Sequence, residues 1–120
     1  MKLNLWPLCL IIYKPWTLKA WAWGGFRGLV IFIRPEHRGD KGIEVHELTH
    51  AAQFWEFLFI GYMVLYNFHR RSRFAFEAAA YREQLKYSEN QARDRSIFAK
   101  LLVDNYDLRI TLEEALAALS

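Results

Sequence analysis

The chain holds a single cysteine, Cys9, and that scarcity removes two kinds of site. One thiol closes no intrachain disulfide and supplies no thiolate set for a zinc knuckle, so Cys9 reads as a small buried apolar residue. Also missing is an uninterrupted apolar run of about 20 residues, the length a helix needs to cross a bilayer. The nearest candidate, Phe54 to Phe68, is shorter and carries Glu56, which suits a buried core helix. Charge of one sign is scarce too: the net charge is only +3, and part of the excess sits in His69-Arg70-Arg71-Ser72-Arg73. So short a cluster is a solvated corner, and no nucleic-acid partner is expected from it. Met1-Lys2 followed by Leu3 to Tyr13 has the outline of a signal peptide, with Ala20-Trp21-Ala22 as a cleavage site. Pro7 interrupts that apolar segment and Lys14 closes it early, so the expected location is cytoplasmic.

Low-complexity tracts and internal repeats are absent as well. With 53% hydrophobic and 17% aromatic residues in 120, the chain is expected to fold as one domain over residues 1–120.

Against this background residues 46 to 50 stand out: His46-Glu47-Leu48-Thr49-His50. Histidines four apart share one face of an α-helix about 6 Å apart along its axis, so both imidazoles can reach one metal ion. Glu47 is rotated about 100° from the first of them, which leaves its carboxylate beside the metal as a general base for a water there. In a chain of this composition the pattern arises by accident roughly once in a hundred, so its context has to decide.

The first third is rich in β-branched and aromatic residues and lacks helical spacing. Strands are expected at Leu8 to Tyr13, at Thr17 to Trp23 ahead of a Gly24-Gly25 turn, and at Leu29 to Arg34. The fold class is therefore α+β, a small mainly antiparallel N-terminal sheet covering the motif helix, followed by a helical C-terminal part. Asp40 is the expected N-cap of the motif helix. Val45, Leu48, Ala52, Trp55 and Phe59 form its core stripe, while His46, His50, Gln53 and Phe57 form a second stripe. A second helix is expected from Arg73 to Tyr87, a third from Gln91 to Asp104, and Thr111 with Glu114 reads as a capping box for a fourth.

Two histidines call for a further ligand. A structural zinc site saturates four protein ligands, whereas a catalytic one keeps a position for water. Glu77, on the second helix and flanked by Ala78-Ala79-Ala80 with no bulk to hold the helices apart, is the expected third ligand. Glu56, six residues beyond His50, is its competitor. As a ligand it needs a glycine turn where this chain has Gln53, so Glu56 is expected to be carried off the ligand face. His37 and His69 are read as surface residues.

His46-Glu47-Leu48-Thr49-His50 followed by Gln53, with a downstream Glu77-Ala78-Ala79-Ala80-Tyr81 helix, resembles the gluzincin branch of the zincin metallopeptidases. The likeness is greatest to very small single-domain members of the kind found in phage and prophage gene sets, and it covers roughly residues 29 to 87. It implies Zn2+ held by His46, His50 and Glu77, Glu47 as the base that activates a zinc-bound water, and hydrolysis of a peptide bond in a peptide or protein substrate. It also implies that Leu29 to Arg34 is the strand along which a substrate lies. Larger relatives usually draw their oxyanion donor from a second lobe, and within this sequence Tyr81 is the candidate for that role.

Two rival readings stand beside the enzyme. One is a zincin-like scaffold that binds zinc or a partner protein without turnover, with Trp16, Trp21 and Trp23 as an interface. The other is a membrane-associated protein held by Phe54 to Phe68 next to the basic corner. An acid beside the first ligand favours the enzyme.

Overall fold

Apolar residues alternating in β2 (Leu8–Ile12) and β4 (Val30–Ile33) put Cys9, Ile11, Ile31 and Ile33 on one buried face of a sheet. In the computed structural model, which describes residues 2–13, 24–27, 30–57 and 59–120, the sheet has four strands in the order β1-β2-β4-β3. β1 (Lys2–Leu5) pairs antiparallel with β2, and β3 (Gly24–Arg27) pairs antiparallel with β4. The central β2 and β4 run parallel, with Ile11 opposite Ile31. The α+β class stands.

Two details of the sheet differ from expectation: β1 adds a strand that was not expected, and Gly24 and Gly25 belong to a strand rather than a turn. The expected strand at Thr17 to Trp23 lies outside the described residues, as do Trp16, Trp21 and Trp23. β4 is also an interior strand. Both its edges are taken by β2 and β3, so it is not the strand on which a substrate could add.

The motif helix α1 (Lys41–Glu56) starts where expected, with Asp40 Oδ1 accepting a hydrogen bond from the Ile43 amide at 3.2 Å. Its core line is shifted, however. Ile43 and Ala51, with Leu48 beside them, pack on the sheet, while Val45, Ala52 and Trp55 are only half-buried. The cause is that α1 is a middle layer. The sheet covers one side and α3 (Arg70–Leu85) the other, so polar residues fill buried positions that an apolar stripe would occupy on a surface helix. Glu44, buried in the first turn, is paired with Lys2 of β1 at 2.9 Å.

The apolar stretch after α1 is not one core helix. α1 is capped at Phe57, Phe59 takes a positive φ (φ 60°, ψ −75°), and a separate helix α2 runs over Ile60–Phe68. Only Tyr62 of α2 is buried, so one face of the helix remains in water. Among the described residues no helix is long and apolar enough to cross a membrane.

The basic corner is the start of α3. His69 is its N-cap, with Nδ1 accepting from the Ser72 amide, and Arg73 donates to the carbonyls of Tyr66 and Asp107. α4 (Gln91–Asn105) and α5 (Leu112–Ala118) then close a second core around Tyr81, Leu85, Phe98, Leu102 and Leu108. The Thr111 and Glu114 capping box forms as read.

Candidate metal centre

α1 and α3 lie antiparallel along a seam whose contacts can be named in order. Gly42 of α1 meets Gln84 of α3, the His46 ring meets the Tyr81 ring at 4.3 Å between centroids, His50 meets Glu77, and Gln53 meets Phe76. On α3, Glu77, Ala80, Tyr81 and Gln84 are spaced three and four apart and share the face turned to the seam. Gly42 and the fully buried Ala80 keep the approach close. A Cβ at Gly42 would stand 3.2 Å from Gln84 Cγ, tighter than ordinary contact.

Three expected ligands meet in this seam. His46, His50 and Glu77 each offer a donor atom, and these atoms lie within 4.8 Å of one another, a group able to hold a metal ion. All are buried, with His46 6%, His50 4% and Glu77 2% exposed, and Glu47 is likewise 6% exposed. Glu77 Oε1 is 2.7 Å from His50 Nε2 and 3.5 Å from His46 Nε2. Two ligands of one tetrahedral zinc stand about 3.4 Å apart when each is about 2.1 Å from it. The His46 spacing already fits, and the His50 spacing needs to open by about 0.7 Å. His46 Nδ1 is buried with no hydrogen-bond partner among the described residues, while its Nε2 faces Glu77. The donor set therefore suits a cation.

The orientation of His50 is fixed from behind. Gln53 Nε2 donates to the Phe76 carbonyl at 3.1 Å, which turns its Oε1 toward His50 Nδ1 at 3.0 Å. Nδ1 must then carry the hydrogen, and Nε2 is the nitrogen presented to Glu77. Burial lowers the His50 pKa, but the charge and hydrogen bond of Glu77 outweigh it and raise the ring to about 9. Burial acts on Glu77 in the opposite sense and is again outweighed, here by His50 and His46, so the carboxylate sits well below its usual range.

Two tyrosines of α2 complete the surroundings. Tyr66 donates its hydroxyl hydrogen to Glu77 Oε2 at 2.7 Å, and the Tyr62 hydroxyl lies 3.5 Å from His50 Nδ1. Burial, then the Glu77 charge, pushes both phenols far above their ordinary value, so they remain neutral donors. Neither was singled out in the sequence, because the whole stretch Phe54 to Phe68 reads as core. Gln53 had a signal: it stands three residues beyond His50 on the ligand stripe.

Tyr81 comes to the site by its ring, and its hydroxyl shares a 2.7 Å hydrogen bond with that of Tyr106. Glu56 is exposed at the end of α1, His69 is a helix cap, and His37 lies in the short 3-10 turn Pro35–His37. None of the three belongs to the metal-binding group. No protein-family model, curated protein or solved structure matches the chain.

Proposed function

We propose that the protein is a zinc-dependent metallopeptidase of a minimal zincin type, acting on a peptide or protein substrate. The observation that carries this reading is the meeting of two imidazoles from α1 and a carboxylate from α3, with the buried acid Glu47 on the same helix as the imidazoles. Three protein ligands leave room for water and substrate, and a mixed nitrogen and oxygen set of low coordination suits zinc.

Zinc bound there supplies Lewis acidity toward water and toward a substrate carbonyl. The rest of the work falls to side chains. His46, His50 and Glu77 hold the ion, Gln53 and Tyr66 orient two of them, and Glu47 takes the proton of the attacking water and delivers it to the leaving amine. Tyr81 is assigned to the developing oxyanion. An extended substrate pairs with β3, the terminal strand of the described sheet nearest α1, instead of β4. A scaffold that only bound zinc would have no use for Glu47.

The test is metal analysis of wild type beside Glu77→Ala, followed by cleavage of a peptide library by wild type and Glu47→Gln. Expected are stoichiometric zinc in wild type, its loss in Glu77→Ala, and zinc retained without cleavage in Glu47→Gln. Full cleavage by Glu47→Gln refutes the base assignment, and zinc held undiminished by Glu77→Ala refutes the ligand set.

A further inference from the structure

We propose that α2 is a lid over the metal-binding group and that its outer face docks on an anionic lipid surface. The lid half rests on the functional reading above, since it covers the same site, while the docking half stands without it.

Ile60–Phe68 has two faces about half a helical turn apart. Tyr62 and Tyr66 point inward, to His50 and Glu77. Ile60, Met63, Val64 and Phe68 point outward, with Ile60 77% and Phe68 85% exposed. Side chains that bare protrude instead of lining a groove. A rigid partner needs matching hollows to cover them, whereas the fluid boundary of a lipid layer takes them in without a matched shape. The charges point the same way. α2 carries no acid, it is followed after His69 by exposed Arg70, which donates to the Asp107 carbonyl, and by exposed Arg71, and the chain is +3 overall. Anionic head groups complement that edge. In an isologous dimer the patch would meet itself and bring those arginines toward their own copies. No described helix can cross a bilayer, so the contact stays at the interface.

Docking has a consequence for the site. His46, Glu47, His50 and Glu77 are all buried, and Tyr62 and Tyr66 of α2 lie against His50 and Glu77, so a substrate carbonyl approaching from that side reaches the group only if α2 moves. The joint is at Phe59, held at φ 60° where L side chains are rarely found, so a swing of α2 that relaxes it is favoured locally. Pulling the outer face into lipid withdraws Tyr62 and Tyr66 from the ligands and opens the site.

The experiment is co-sedimentation of the full chain with vesicles of phosphatidylcholine alone or mixed equally with phosphatidylglycerol. The variants are Arg71→Glu and the triple Ile60→Ser, Val64→Ser and Phe68→Ser. Diethyl pyrocarbonate labelling of His46 is read by mass spectrometry in parallel, with exposed His69 as the internal reference. Expected are binding to the mixed vesicles, about 10-fold weaker on neutral ones and for Arg71→Glu, and at least about 30-fold weaker for the triple variant. His46 labelling is expected to rise on the mixed vesicles while that of His69 does not. Wild type left in the supernatant overturns the docking, and so does a solution dimer abolished by the triple variant without any vesicle binding. Vesicle binding with unchanged His46 labelling overturns the lid. Should the triple variant not fold, Arg71→Glu and the neutral vesicles decide the question. Vesicle binding by a protein that takes up no zinc refutes the peptidase reading and leaves the docking in place.

Discussion

Gln53 and His50, three residues apart on α1, are joined by a 3.0 Å hydrogen bond that decides which nitrogen of the ring faces Glu77. Gln53 acts by removing a choice: with Nδ1 occupied, His50 can offer only Nε2 to a cation. Gln53→Ala removes the acceptor at Nδ1 and the side-chain donor to the Phe76 carbonyl. Zinc affinity is expected to fall about 10- to 100-fold, the usual effect of losing a partner that orients a ligand. Competition with a fluorescent chelator measures it, and an affinity equal to wild type would show that the hydrogen bond is incidental.

The coupling of His50 and Glu77 makes the metal-free protein sensitive to pH in a definite direction. His50 is raised from 6.5 to about 9, so its contribution to stability is complete below pH 6.5 and is lost as pH rises through 9. Glu77 is lowered from 4.5, so its contribution is complete above pH 4.5 and is lost as pH falls toward the folded value. The contribution of this pair to the metal-free fold is therefore complete between pH 4.5 and 6.5. A cation takes the nitrogen that carries this proton, so zinc affinity should rise about tenfold per pH unit up to about pH 9. Urea midpoints at about pH 5.5, 7.5 and 9.5 test the first statement, and a flat series would sink it. Calorimetry in two buffers of different ionisation enthalpy tests the second, by the proton released on binding.

How much of this site could be read beforehand depended on whether chemistry or backbone set each part. His46, His50 and Glu77 were legible as a candidate ligand group because a metal requires those residue types at helical spacing, and Asp40, Thr111 and Glu114 because caps do. The lid was not legible. Ile60 to Phe68 is as apolar as a buried helix, and the break before it lies at Phe59, a residue that does not ordinarily adopt positive φ. The core stripe of α1 was misplaced for a related reason: a helix buried on two sides spends polar residues inside, and hydrophobic periodicity cannot register them. β1 went unread because Leu3 and Leu5 stay exposed and its partner is simply the next strand.

The seam between α1 and α3 depends on small residues, among them Ala80, fully buried and at helical spacing from Glu77 and Gln84. Ala80→Leu inserts three carbons where there is no space. It is expected to cost about 1–3 kcal/mol of stability by forcing the helices apart. Zinc affinity should fall at least about tenfold at the same time, because the ligands come from opposite sides of the seam. Ala79→Leu, at a half-buried position, is the control and should change either quantity little. Thermal unfolding and chelator competition on the two variants separate the cases. Equal behaviour would show that close approach of the helices is not what assembles the triad.

Tyr81 offers two things to the site, a ring against His46 and a hydroxyl shared with Tyr106, and one substitution divides them. Tyr81→Phe keeps the ring and deletes the hydroxyl. Zinc content and stability should then stay close to wild type, because the contact with His46 survives and Tyr106 keeps its own hydroxyl. If the Tyr81 hydroxyl donates to the developing oxyanion, kcat falls about 100- to 1,000-fold with little change in KM, as for other single oxyanion donors. That is the outcome expected of the peptidase proposed here. A loss below about threefold would assign Tyr81 to holding the His46 ring, and Tyr66, whose hydroxyl already reaches Glu77, would become the next donor to remove.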